Sequence, residues 1–174
     1  LEVLDETAAT YPANDYAVSK LAMEYLAKTY MTRLGIVITR PFNYSGVGQE
    51  PQYLIPKIVS HFKARALQME LGNTDVERDF SDVRDIARAY RLLAEERPLG
   101  EIFNLCSGEA TALETCIGMA SDITGHNIEV RLNTDFVRTN EVKTLRGCGK
   151  KLYNIIGRER RYTIRDTLEW MLRN

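Results

Sequence analysis

The chain has 174 residues, 44% hydrophobic and 27% charged, the composition of an ordinary globular protein long enough to bury a core without disulfide or metal staples. Its 23 Lys and Arg against 24 Asp and Glu leave a formal net charge of -1, which speaks against nucleic acid or an anionic membrane as the main partner. No apolar run approaches the roughly 18 residues that cross a bilayer. Cys106, Cys116 and Cys148, irregularly spaced, point to reduced thiols in a cytoplasmic protein, and with only His61 and His126 beside them no metal centre is expected.

Residues 1–13 are polar and end in Tyr11-Pro12, a loop. Asn14 and Asp15 then offer helix N-caps, and a helix is predicted from Asp15 to Arg33, stopping near Gly35. It carries two apolar stripes, Val18, Ala22 and Tyr25 on one side and Met23, Leu26, Tyr30 and Leu34 on another. Two stripes predict a helix buried on two sides, by a core and by a partner subunit. Gly35–Arg40 is a β-branched run of the kind buried in parallel sheets, closed by Pro41 and followed by a loop with Gly46 and Gly48. Helical spacing returns over Tyr53–Ala66, and Gln68–Leu71 reads as a short strand ended by Gly72-Asn73. Asp82–Glu96 is a helix, Ile102–Cys106 a strand, Ala112–Thr124 a helix and Ile128–Leu132 a strand. Residues 133–150 read as irregular and basic, and Thr163–Leu172 as a terminal helix. Strands alternating with helices give an α/β class. No G-x-G-x-x-G or G-x-x-G-x-x-G occurs, the turn that normally follows the first strand of a dinucleotide-binding half.

Four segments hold residues suited to chemistry. Tyr16 and Lys20 are four apart, on one face of the first helix. An ammonium beside a phenol favours the phenolate, so such a pair can trade a proton with a carbonyl or alcohol; a plain amphipathic helix with a solvated lysine shows the same spacing. Arg40-Pro41-Phe42-Asn43-Tyr44-Ser45-Gly46-Val47-Gly48-Gln49 follows the carboxyl end of a buried strand, where open α/β sheets place ligands. In the segment from Gly72 to Asp85, Arg78 and Arg84 could grip phosphate through their planar forks, or could equally be tied to Asp79, Asp82 and Asp85 in a salt-bridged turn. Arg138-Thr139-Asn140-Glu141 could hold a phosphate and a ribose diol, or be a solvated loop.

In this order the segments resemble the extended short-chain dehydrogenases/reductases that modify nucleotide sugars. The blocks that carry the resemblance are Tyr16-x-x-x-Lys20, Arg40-Pro41-Phe42-Asn43, Arg78-Asp79-Phe80 running into the Asp82 helix, and Phe103-Asn104-Leu105-Cys106-Ser107-Gly108. Gly72-Asn73-x-Asp75-x-x-Arg78-Asp79-Phe80 and Arg138-x-x-Glu141-Val142 look most like the GDP-4-keto-6-deoxy-mannose reductases and the GDP-mannose 4,6-dehydratases. Relatives often have His at Tyr44, Leu at Thr74 and Pro at Asp15.

The resemblance implies that Tyr16 is the catalytic acid at the sugar C4 oxygen and that Lys20 holds the nicotinamide ribose. It places Pro41 and Phe42 at the carboxamide end of an NAD or NADP cofactor. It puts Asn43, Arg78 and Arg138 on a nucleotide-diphosphate sugar, and Glu141 on the nucleoside ribose. It also implies the carboxyl-terminal part of a Rossmann-type fold with the smaller substrate-binding subdomain, the Gly-rich half and the triad Ser/Thr lying outside these residues. On that expectation residues 1–49 and 100–125 belong to the cofactor sheet and 50–99 and 126–174 to the substrate-binding part. The chain alone is then expected to bind NAD(P) weakly or not at all and to self-associate, commonly as a homodimer through the Tyr16 helix. Three other roles share these residues: a non-catalytic module keeping a nucleotide-sugar pocket, a GDP-mannose 4,6-dehydratase, and a UDP-sugar epimerase.

Overall fold

The computed structural model describes residues 3–137, 142–157 and 160–174. In chain order the elements are β1 (Val3–Leu4), α1 (Asp15–Tyr30), β2 (Ile38–Pro41), β3 (Asn43–Ser45), α2 (Leu54–Lys63), β4 (Gln68–Leu71), β5 (Glu77–Asp82) and α3 (Val83–Glu96). Then come β6 (Ile102–Leu105), β7 (Ala110–Ala112), α4 (Leu113–Thr124), β8 (Glu129–Leu132), β9 (Thr144–Gly147), α5 (Lys150–Ile156) and α6 (Ile164–Arg173). The fold is α/β. Strands β1, β9, β5 and β3 form a parallel sheet in that order, with β7 antiparallel to the first half of β5. Separate parallel pairs join β2 to β6, with Ile38 opposite Ile102 and Pro41 opposite Leu105, and β4 to β8. No helix among the described residues is long and apolar enough to cross a membrane.

Two cores hold these layers. In the larger, Ile55, Ile58, Val59 and Phe62 of α2 meet Met69 and Leu71 of β4, Leu113, Cys116 and Ala120 of α4, and Leu168 and Met171 of α6. The smaller sets Ile86, Ala89 and Leu93 of α3 against Phe103 and Leu105 of β6 and Leu152 of α5. Helix α3, expected with the substrate-binding part, lies on the β2–β6 side; α4, expected with the cofactor strands, lies in the other core. In both cases the apolar face decides where the helix goes.

The sequence periodicity locates the five longest helices and strands β2, β4, β6 and β8. It misses β1, β3, β5, β7, β9 and α5. Strand β5 has one apolar residue in six, Glu-Arg-Asp-Phe-Ser-Asp, yet it lies at the centre of the main sheet. Two of its acids are buried, Asp79 fully and Asp82 at 2% exposure. Asp82 caps α3 by accepting the Arg84 N–H at 2.8 Å, takes the Arg84 guanidinium on both oxygens at 2.8 and 2.7 Å, and accepts the Thr167 hydroxyl of α6 at 2.8 Å. Burial raises the Asp82 carboxyl, but the Arg84 and Thr167 hydrogen bonds outweigh it and hold the group below its ordinary range. The Arg84 guanidinium lies between two rings, 3.6 Å from the Tyr162 centroid and 3.9 Å from that of Trp170.

Thr167→Val keeps the side-chain shape and takes one donor from a buried carboxylate. Urea denaturation is expected to show a loss of about 1–3 kcal/mol, whereas the same change at exposed Thr29 is expected to lie within about 0.5 kcal/mol.

Candidate active site

Asn14 starts α1 as expected, its side chain accepting the Ala17 N–H at 2.9 Å. The helix then places Tyr16 and Lys20 on one face, with the Lys20 Nζ 5.6 Å from the Tyr16 ring centroid. Both side chains are exposed, Tyr16 at 71%. Within this chain the core does not bury α1: none of its residues is buried, and Val18, Met23, Tyr25 and Leu26 are each more than half exposed, at 51%, 59%, 60% and 60%.

A polar clamp fixes α1 instead. Glu24 lies four residues past Lys20 and receives Arg40 of β2 on both oxygens, at 2.8 and 2.6 Å. Arg40 also donates to the Glu6 carbonyl at 3.0 Å. The Arg40 hydrogen bonds, helped by Lys28 at 2.8 Å, hold the Glu24 carboxyl down at about 2 against desolvation that raises it. The strand leading to α1 is anchored too. Buried Asn104 of β6 donates its N–H to Glu6 Oε1 at 2.8 Å and its side-chain amide to the Leu4 carbonyl at 3.1 Å.

Beyond Arg40, Pro41 ends β2 opposite Leu105, and the Phe42 N–H donates to the Leu105 carbonyl at 2.8 Å. Asn43 opens β3, exposed, its side-chain amide 3.4 Å from the Asp79 carbonyl. The strand register sets Asn43 beside Phe80, two residues past Arg78 on β5. Arg78 is half-buried and donates to the carbonyls of Glu77 at 2.8 Å and Lys143 at 3.2 Å. Asn43 and Arg78 therefore share one sheet, whereas Tyr16 and Lys20 sit on α1, which Arg40 ties to β2 of the separate β2–β6 pair. Arg84 is corrected as a phosphate candidate, because Asp82, Tyr162 and Trp170 occupy its guanidinium. Arg138 and Glu141 lie outside the described residues.

Glu24 escaped the sequence reading, and Asp79 entered it only as a possible ion-pair partner. Glu24 could have been found as the next step of the i, i+4 row from Tyr16 through Lys20. Asp79 stands inside the Arg78-Asp79-Phe80 block and is fully buried. Close packing surrounds this end of the sheets: a Cβ on Gly147 would come within 2.7 Å of the Cys106 sulfur and 2.9 Å of the Phe42 ring. No group of His, Cys, Asp and Glu among the described residues could hold a metal ion.

A family model described as GDP-mannose 4,6 dehydratase matches residues 2–171. The GDP-6-deoxy-D-talose 4-dehydrogenase of Aggregatibacter actinomycetemcomitans is 34% identical over 99% of this chain and 59% of its own length. The GDP-6-deoxy-D-mannose reductase of Pseudomonas aeruginosa is 31% identical over 97% and 58%. Among solved structures, one from Burkholderia cenocepacia J2315 superposes with a TM-score of 0.95 at 53% identity, covering 98% of this chain and 56% of its own. RMD from Pseudomonas aeruginosa, complexed with NADPH, superposes at 0.91 and 30% identity, covering 99% and 59%. The chain thus spans under three-fifths of the length of these relatives.

The Glu24 carboxyl is held below its unfolded range, so the clamp's contribution is full above about pH 4.5 and fades as pH falls toward about 2. Hydrogen exchange is expected to show α1 amides losing protection over that interval. In Glu24→Gln the α1 amides are expected to exchange faster at neutral pH and to lose that pH dependence.

Proposed function

The chain belongs to the GDP-mannose 4,6 dehydratase family of extended short-chain dehydrogenases/reductases, and from that premise we propose that it is the substrate-binding portion of a nucleotide-sugar oxidoreductase acting at sugar C4. The preferred reaction is reduction of a GDP-6-deoxy-4-keto-hexose. One observation carries this reading. Tyr16 and Lys20 stand together on a helix clamped to β2 by Arg40, and the residues after Arg40 lead directly to Asn43 on the sheet that bears Arg78.

The donor set suits a nicotinamide cofactor: an exposed phenol and ammonium one turn apart can both meet ribose hydroxyls. The Phe42 N–H is already given to Leu105, so a carboxamide would be met by the Phe42 carbonyl and bordered by Pro41. When bound, the cofactor supplies a hydride. Tyr16 delivers the proton to the C4 oxygen, and Lys20, one turn on, holds the nicotinamide ribose. Arg78 takes diphosphate oxygens through its fork and Asn43 donates its amide to them. Arg138 and Glu141 complete the nucleotide contacts on the strength of the family motif.

The full-length protein carries the activity in this reading, because the G-x-x-G-x-x-G turn is not among these 174 residues. The exposed apolar residues of α1 support self-association, as a homodimer. They would equally suit a non-catalytic module that keeps a nucleotide-sugar pocket and assembles through α1. The free cysteines Cys106, Cys116 and Cys148 fit a cytoplasmic setting.

The test is turnover. The full-length protein is expected to reduce GDP-4-keto-6-deoxy-mannose with NADH or NADPH, and Tyr16→Phe to lower kcat by about 10²–10⁴-fold. Turnover of a UDP-sugar instead would overturn the substrate, and no turnover at all would favour the module. Calorimetry on the chain alone is expected to show weak or no NADPH binding, since the helix N-terminus that receives a pyrophosphate is not among its motifs.

A further inference from the structure

Asp79 has no part in the chemistry above, yet it is fully buried at the centre of the main sheet. Its Oδ1 accepts the Ser107 N–H and the Ser107 hydroxyl, both at 2.7 Å. Its Oδ2 accepts the N–H groups of Gly108 at 3.0 Å and of Gly147 at 3.2 Å. These donors come from two separate segments, the turn after β6 and the end of β9. Arg146 closes the arrangement by donating its Nε–H to the Gly108 carbonyl at 2.7 Å. The residue before Asp79 is Arg78, and its own carbonyl faces the Asn43 amide. The Ser107 turn follows Leu105, whose carbonyl holds the Phe42 N–H.

We propose that Asp79 is a positioning residue: its carboxylate locks the strand bearing Arg78 to the backbone at the ends of β6 and β9, and so fixes the spacing between the diphosphate-binding arginine and the Phe42 end of the cofactor strands. The proposal rests on the reading that Arg78 holds a sugar diphosphate. A carboxylate serves here because it only accepts, and all four contacts are donors. An amide in its place presents two N–H groups toward backbone N–H groups, so at least one contact is lost and β5 shifts against its neighbours. Alternation along β5 turns Asp79 inward and Arg78 to the other face, so the shift is passed to Arg78 without any contact between Asp79 and ligand.

The test is a double-mutant cycle read by calorimetric titration of GDP into the full-length protein, with each variant's fold checked by circular dichroism. Arg78→Ala is expected to weaken GDP binding about tenfold or more. Asp79→Asn is expected to weaken it about tenfold when Arg78 is present and by less than about twofold in the Arg78→Ala background, the non-additivity of residues acting through one another. Should Asp79→Asn fail to fold, Ser107→Ala keeps the carboxylate and removes the hydroxyl that donates to it and accepts the Glu109 N–H at 3.1 Å, and is expected to give the same pattern at about threefold. Equal losses in both backgrounds, or no loss in either, would overturn the positioning role. Unchanged GDP binding in Arg78→Ala would instead overturn the diphosphate reading, and the positioning role with it.

Discussion

Strand β5 brings two carboxylates into the interior, and the structure is arranged around satisfying them. A buried carboxylate costs several kcal/mol to desolvate unless its oxygens are met, and each hydrogen bond to a charged group returns about 1.5–3 kcal/mol. Asp79 is met by the turn after β6 and the end of β9; Asp82 by Arg84 of α3 and Thr167 of α6. Three segments distant in sequence, together with the helix that directly follows β5, thus converge on one strand. The same bonds explain why β5 can be central with one apolar side chain: its cohesion is polar, and the apolar cores lie to either side of it.

Helix α1 is held by a different means. With no buried residue of its own, it takes its position from the Glu24–Arg40 pair and from the Leu4–Glu6 segment pinned by Asn104. A bidentate guanidinium–carboxylate pair fixes orientation as well as distance, so it sets the direction in which α1 carries Tyr16 and Lys20. Apolar packing could supply more stability, but Val18, Met23, Tyr25 and Leu26 of α1 are exposed. Its polar face is committed to the chain, and its apolar face is left for whatever covers it.

How much of this was legible in the sequence follows from what each element buries. Helices α2, α3, α4 and α6 bury one apolar stripe each, so period 3.6 reveals them; β2, β4, β6 and β8 carry apolar or alternating runs. Strand β5 gives no such signal, because Asp79 and Asp82 occupy positions that pattern reading reserves for apolar residues. Strand β9, Thr-Leu-Arg-Gly, is four residues inside a basic stretch, and its place depends on Asp79 and Lys143 rather than on its own composition. Helix α1 shows the converse: it has apolar stripes, but this chain's core buries none of its residues.

The site residues were legible as blocks and not as roles. Each strand block mixes a residue that holds the fold with one that faces outward, and alternation separates them. In Arg40-Pro41-Phe42-Asn43 the arginine turns to Glu24 while Asn43 stays exposed. In Arg78-Asp79-Phe80 the acid is fully buried and the arginine only partly so. Residue type alone cannot make this distinction, since Arg40, Arg78 and Arg84 carry the same fork. What separates them is the acceptor each one meets: a carboxylate on another element for Arg40, a carboxylate and two aromatic rings for Arg84, and main-chain carbonyls for Arg78. Arg40 and Arg84 are thereby committed to holding the fold, Arg40 by tying α1 to β2 and Arg84 by meeting the buried Asp82.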